Sequence, residues 1–160
     1  MTKEIKTAPR TEVRGVNGTL YHVWLSPRRR KPILLGDIDE AVKRHFAAIA
    51  QENKIEILEC ETGYDHVHLL VKPPPKMPLS EAMRLLKGAS ARYIFREFDG
   101  LKIDLRNDHF WQRGYGFRRV NPGAIRSTVS YIRNHRSHDD LEPRTSVRGD
   151  WSISRRQRDG

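Results

Sequence analysis

Residues 66–72 (HVHLLVK) run straight into Pro73, Pro74 and Pro75, and this stretch does most to limit what the chain can fold into. Proline has no N–H to give to a helix or a sheet ladder, so whatever precedes the triplet must stop there. A short Val- and Leu-rich segment bounded in this way is a strand. Successive side chains of a strand face opposite ways, so Val67, Leu69 and Val71 take one face while His66 and His68 take the other. The apolar set needs cover and the imidazoles do not. The chain therefore builds a sheet with one packed face and one face carrying two histidines, about 7 Å apart at Cα from two steps of ~3.3 Å.

The other segments supply the cover. Residues 19–26 (TLYHVWLS) form a strand that ends at Pro27 and a basic cluster. Asp37 opens a helix, with Glu40 placed as its capping-box partner, and Ile38, Val42, Phe46 and Ile49 line one face of it. Residues 54–59 (KIEILE) alternate as a strand. Residues 80–98 form a second helix with Ala82, Leu86, Ala89 and Tyr93 on a stripe. Gly88 inside it costs about 1 kcal/mol relative to alanine, which suggests a close approach at that point. Residues 101–109 have no clear pattern, and 115–120 suit a short strand. Pro122 stands early in a third helix that runs through Ile125, Val129 and Ile132 to about residue 138.

The order β-α-β-β-α-β-α predicts an α+β fold. It is a ferredoxin-like or RRM-like antiparallel sheet with helices on one face and an extra C-terminal helix bearing Tyr131, which leaves the other face open. Residues 1–18 are expected to be a flexible arm, 19–140 one domain, and 141–160 a basic tail containing Arg144, Arg148, Arg155, Arg156 and Arg158.

Charge narrows the partner. Lysine and arginine number 30 against 20 acidic residues, a net charge of +10 on 160 residues, which points to a polyanion. No apolar run approaches the ~18 residues of a spanning helix, so no membrane is expected. The polar first ten residues lack the apolar core of a secretory signal, which implies a cytoplasmic protein. Cys60 is the single cysteine, which excludes disulfide scaffolds and cysteine-built zinc sites. It reads as an inert small apolar residue. There is no P-loop, and no nucleotide cofactor is expected.

A second group of candidates stands on the third helix. Tyr131 and His135 are four apart and share a face that His138 continues, with Asn134 beside them. Alone, a His-x-His strand also describes two surface histidines, and a lone tyrosine also describes a packed helix edge. Two same-face groups on separate elements of a basic chain favour a metal-assisted site instead. Asp65, just before His66, could orient a ring or the substrate. A phenol is a weak nucleophile near neutrality unless a base or a metal-bound substrate helps it. For nucleic acid the candidates are Arg28, Arg29, Arg30 and Lys31, then Lys87 and Arg92, then Arg113, Arg118 and Arg119. Trp111, Tyr115 and Phe117 between them offer stacking surfaces. Trp24 reads as core, and His22, His45 and His109 have no assigned role.

Five motifs in order make a resemblance: YHVW at 21–24, DHVHLLV at 65–71, LKGASAR at 86–92, FWQRGY at 110–115 and YIRN at 131–134. Together they resemble the single-tyrosine HUH transposases of the insertion-sequence 200/605 group. The resemblance spans residues 21–135. It implies a divalent metal, Mg2+ or Mn2+, held by His66, His68 and His135, with Tyr131 as the nucleophile. It implies cleavage and rejoining of single-stranded DNA with hairpin ends through a 5′-phosphotyrosine link, by a homodimer that is nucleoid-associated when bound to DNA. Two departures stand out: Tyr64 where the family usually has proline, and His135 where it usually has glutamine. Imidazole favours somewhat softer metals than an amide oxygen does, which bears on metal preference. A domesticated, repeat-associated nuclease and a non-catalytic nucleic-acid binder on the same scaffold are the alternatives. Replication initiators and relaxases share the two-histidine strand but usually have longer chains.

Overall fold

The structure is a computed structural model that describes residues 19–106 and 109–134. The arm at 1–18, the tail at 141–160, and His135 and His138 lie outside the described residues. Four strands form one antiparallel sheet: β1 (Tyr21–Leu25), β2 (Glu56–Thr62), β3 (Val67–Lys72) and β4 (Gly116–Arg119). Their spatial order is β2-β3-β1-β4, so β1 and β3 are central. Both central strands are apolar on alternate residues. Val23, Val67, Leu69 and Val71 are fully buried beneath α1 (Gly36–Glu52) and α2 (Leu79–Glu97). Phe46, Met83, Leu86 and Ile94 come down from the helices to meet them. This is the predicted α+β arrangement.

Several local expectations change. Helix α1 starts at Gly36, and its N-cap is Leu35 with no side-chain bond, so Asp37 and Glu40 form no capping box. The Leu35 carbonyl instead accepts from the Ile38 and Asp39 N–H groups at 3.1 and 3.3 Å. Asp37 still suits the positive end of the helix dipole. Gly88 has nothing within 4 Å of where a Cβ would sit, so no close approach explains it. Strand β2 runs three residues beyond 59, and its register with β3 shifts between Ile57 and Glu59. The bulge makes Leu58 an extra residue, so Ile57 and Cys60 both pair towards the helix-covered core. Residues 101–109 contain one helical turn, α3 (Leu101–Asp104), anchored by buried Leu101 and Leu105.

The second sheet face is only partly open. A 3-10 turn at Pro122–Ala124 leads into α4 (Ile125–Arg133), the predicted third helix, whose described part ends at the C-cap Asn134. Ile132 is fully buried against Leu20, Leu70 and Val120, with Leu58, Ile125 and Val129 around them. Leu70 lies on the histidine side of β3 because it is even in the alternation that places His66 and His68 there. The apolar stripe of α4 thus covers one part of this face and sets Tyr131 beside the rest.

Candidate active site

On the face that α4 shares, His68 and His22 come together. In the β1–β3 register His68 lies opposite Trp24, two pairs along from His22 and Leu70 and so on the same face. His22 is 2 % exposed and His68 8 %, and His22 Nε2 sits 2.9 Å from His68 Nδ1. A buried ring nitrogen left without a partner is costly, so the bond fixes both ring planes. His22 therefore belongs to the site, although its sequence gave it no role. The signal was available: alternation along 21–25 puts His22 and Trp24 on the face opposite Val23.

His66 stands just before β3 and is held from its own side. Its Nδ1 is 2.8 Å from Asp65 Oδ1, and the same oxygen is 3.3 Å from Arg30 Nη2. Arg30 follows Arg29 in a 3-10 turn, Arg28–Arg30, in which Arg29 and Arg30 both take positive φ, 58° and 50°. Two bulky residues in the left-handed region cost of order 1–3 kcal/mol each, strain that collects at functional sites. Neighbouring bonds hold the turn: Arg28 N–H donates to Phe110 O at 2.8 Å and Arg29 N–H to Gln112 Oε1 at 2.9 Å. The result brings a guanidinium to the carboxylate that holds His66. Asp65 thus takes the orienting position expected of it.

The two rings of the His-x-His pair are 5.3 Å apart between centroids and nearly perpendicular, at 84°. Tyr131, 53 % exposed, places its ring 5.7 Å from that of His68 and 5.9 Å from that of His22. Tyrosine and histidines belong to the same chain. Beside the tyrosine, Arg133 Nε and Nη2 donate to Glu59 Oε2 at 3.0 and 2.8 Å, tying α4 to the edge strand. Among the described residues no group of three His, Cys, Asp or Glu side chains completes a metal cage. The third expected ligand, His135, is outside the described residues. Within them, each ring of the pair has Nδ1 engaged, which suits Nε2 to a metal. The two imidazoles are a donor pair for a divalent cation, of a kind that suits softer ions than Mg2+.

The nucleic-acid candidates divide. Arg118 is exposed on the histidine face, with Nη2 3.4 Å from His22 Nδ1 and its guanidinium 5.8 Å from the Trp24 ring. Arg30 reaches Asp65, with Arg28 and Arg29 on the same turn and Lys31 after it. Arg113 is exposed in the loop before β4. The register sets Phe117 opposite Val23 and Arg119 opposite Tyr21, on the helix-covered side, and Tyr115 packs there on Phe117. Arg92 is on α2, against Tyr93, likewise away from the histidines. Lys87 acts as a clamp: its Nζ donates to the carbonyls of Gln112 and Gly114 at 2.9 and 2.7 Å, and partial burial lowers its pKa.

Two aromatic assignments are corrected. Trp111 is buried, stacked on Phe46 at 5.6 Å, and its Nε1 donates to Ser90 Oγ at 2.9 Å, so it offers no ring face to a base. The Pro27–Trp111 bridge draws this segment into the core beneath the arginine-rich turn. Trp24, read as core, is 37 % exposed on the histidine face.

The chain is similar to several known proteins. Residues 15–135 match the family described as "Transposase IS200 like". The transposase for insertion sequence element IS200 of Salmonella typhimurium is 32 % identical over 127 residues, covering 79 % of this chain and 83 % of that protein. The ISDra2 transposase TnpA of Deinococcus radiodurans is 30 % identical over 119 residues, covering 74 % and 84 %. A crystal structure described as a candidate transposase, also from Deinococcus radiodurans, superposes with a TM-score of 0.62 at 28 % identity, over 76 % of this chain and 94 % of that one. A REP-associated tyrosine transposase solved with a REP hairpin has the same fold, with a TM-score of 0.55 at 16 % identity over 75 % and 67 %. With a sheet carrying the histidine pair, a helix carrying the tyrosine, and a family match across three-quarters of its length, this chain belongs to the IS200-like transposases.

Proposed function

We propose that the protein cleaves and rejoins single-stranded DNA at hairpin-bearing ends, with Tyr131 as nucleophile and a divalent cation, Mg2+ or Mn2+, held by His66 and His68 and completed by His135. The observation that carries this reading is the placement of Tyr131 over His68 in one chain, at 5.7 Å between rings. The net charge of +10 suits a polyanion. The REP hairpin bound to a transposase of the same fold supports hairpin DNA as the substrate class.

When bound, the cation supplies Lewis-acid polarisation of the scissile phosphate. Asp65 and His22 hold the two ligand rings in place. Tyr131 on α4 is half exposed, within reach of a strand laid on this face. Its Oη loses a proton and bonds to phosphorus while the P–O3′ bond breaks, and the departing 3′ oxygen takes up a proton. The 5′ phosphate stays on the tyrosine, so a 3′ hydroxyl from another strand reverses the step and joins the ends. Arg118 and the Arg28–Arg30 turn place cations on either side of the histidines, where they hold neighbouring phosphates. Freeing a segment takes two cuts and each chain carries one Tyr131, and a homodimer, which the family resemblance implies, would supply both.

The test is incubation with hairpin oligonucleotides and Mn2+, with and without EDTA, followed by denaturing electrophoresis. A protein–DNA adduct that needs the metal and is lost in Tyr131→Phe is expected. DNA binding by the variant with its adducts intact would remove Tyr131 from the role.

A further inference from the structure

We propose that the indole of Trp24, with the guanidinium of Arg118 over the ring, is a stacking site for an unpaired nucleobase of the strand next to the phosphate that Tyr131 attacks. The inference rests on the single-strand reading above and adds a site to it. Among the described residues the exposed large apolar side chains are Trp24, Ile103, Phe117 and Tyr131. The strand register takes Phe117 to the other side of the sheet, and Ile103 lies on the α3 turn. Trp24 and Tyr131 remain together on the histidine face, with His22 between them at 5.2 and 5.9 Å between ring centroids.

The indole is held in place. Trp24 lies opposite Gly116 on β4, and a Cβ added at that glycine would clash with Trp24 Nε1 and Cε2. The ring thus lies down over the glycine backbone, where any other residue would lift it. Two residues on, Arg118 brings its guanidinium to 5.8 Å from the ring. A flat aromatic surface, partly in water and with an exposed guanidinium over it, matches a nucleotide: the base enters beside the guanidinium on the indole and the phosphate pairs with the charge. An apolar protein partner would meet the Arg118 charge instead. Stacking of this kind tolerates any base, because every base has a π-face.

The experiment compares two labelled strands, a 12-residue oligothymidylate and a 12-residue strand of abasic spacers, by fluorescence anisotropy in EDTA so that nothing is cleaved. Wild-type protein is expected to favour the base-bearing strand. Trp24→Ala should weaken binding of that strand about tenfold and leave the abasic strand unchanged, while Trp24→Phe keeps most of the preference. Gly116→Ala, which displaces the ring without removing it, should show the same selective loss. Unchanged binding of oligothymidylate by Trp24→Ala, or equal loss on both strands, would overturn the stacking site alone. Binding of neither strand by the wild type would overturn this site, while the adduct test on hairpin oligonucleotides decides the single-strand reading separately.

Discussion

His22 Nε2 and His68 Nδ1 lie 2.9 Å apart in a pocket that leaves both residues almost without solvent. A histidine that ligates through one nitrogen is oriented by whatever bonds the other, and loss of such a partner typically lowers metal affinity about 10–100-fold. His22→Phe keeps the ring volume and removes the bond. Its Mn2+ affinity, measured by calorimetry on the folded protein, should fall within that range, and His22→Gln should recover part of the loss. Equal affinities in wild type and His22→Phe would reduce His22 to a packing residue.

The position of the nucleophile depends on how α4 is docked. Its nine described residues are too few for a stable helix in water by themselves, which needs roughly 12–15. Docking comes from Ile132, fully buried against Leu20, Leu70 and Val120, and from the Arg133–Glu59 pair. Ile132→Ala should cost about 2–5 kcal/mol of that docking. Hydrogen exchange is then expected to speed up across 125–133 while β1 and β3 keep their protection, and adduct yield falls with it. Glu59→Gln should matter much less, under about 1 kcal/mol, because Arg133 is more than half exposed. If α4 and the central strands lost protection together, the helix would be part of the main cooperative unit.

The alternation of 66–72 was enough to place His66 and His68 on one face and the core on the other, because a strand stopped by three prolines has few alternatives. The same rule applied to 21–25 separates His22 and Trp24 from Val23 and Leu25. What it does not contain is that β1 lies next to β3, and only that neighbourhood makes His22 the partner of His68. Aromatic content pulled Trp24 towards the core and the surrounding arginines pulled Trp111 towards the surface, and both inferences follow local composition where tertiary pairing decides. The bulge at Leu58 and the backbone start of α1 at Leu35 leave no mark in the pattern of residues. The stripe Ile125, Val129 and Ile132 was legible, but the patch of Leu20, Leu70 and Val120 that receives it draws on three separate segments.

Trp111 separates a core role from a DNA-binding one. Its indole stacks on Phe46 with an interplanar angle of 15° and meets Phe110 edge-on at 4.7 Å. Trp111→Ala is expected to cost about 3–5 kcal/mol in urea unfolding. Trp111→Phe retains most of the ring contact, loses the bond to Ser90, and should bind single-stranded DNA as the wild type does once folded. A loss of DNA affinity with unchanged unfolding would return Trp111 to the binding surface.

Cys60 gives a pH dependence of known sign. It packs against the main core, and burial pushes its thiol from 9.0 up to about 12; Glu61, Asp39 and Glu59 add to the rise and Lys43 opposes it. The unfolded chain therefore releases this proton first. Stability linked to Cys60 is intact below the unfolded pKa of 9.0 and declines as pH climbs from there towards about 12. Lysines and tyrosines titrate in the same window, so the readout is a difference: the wild type should lose more stability than Cys60→Ala between pH about 8 and about 10.5. The folded thiol should likewise resist alkylation at pH about 8 and react once urea exposes it, since the thiolate is the reacting form. Rapid alkylation of the native protein would mean that the thiol faces solvent and that the α1–β2 side of the sheet is more open than this packing allows.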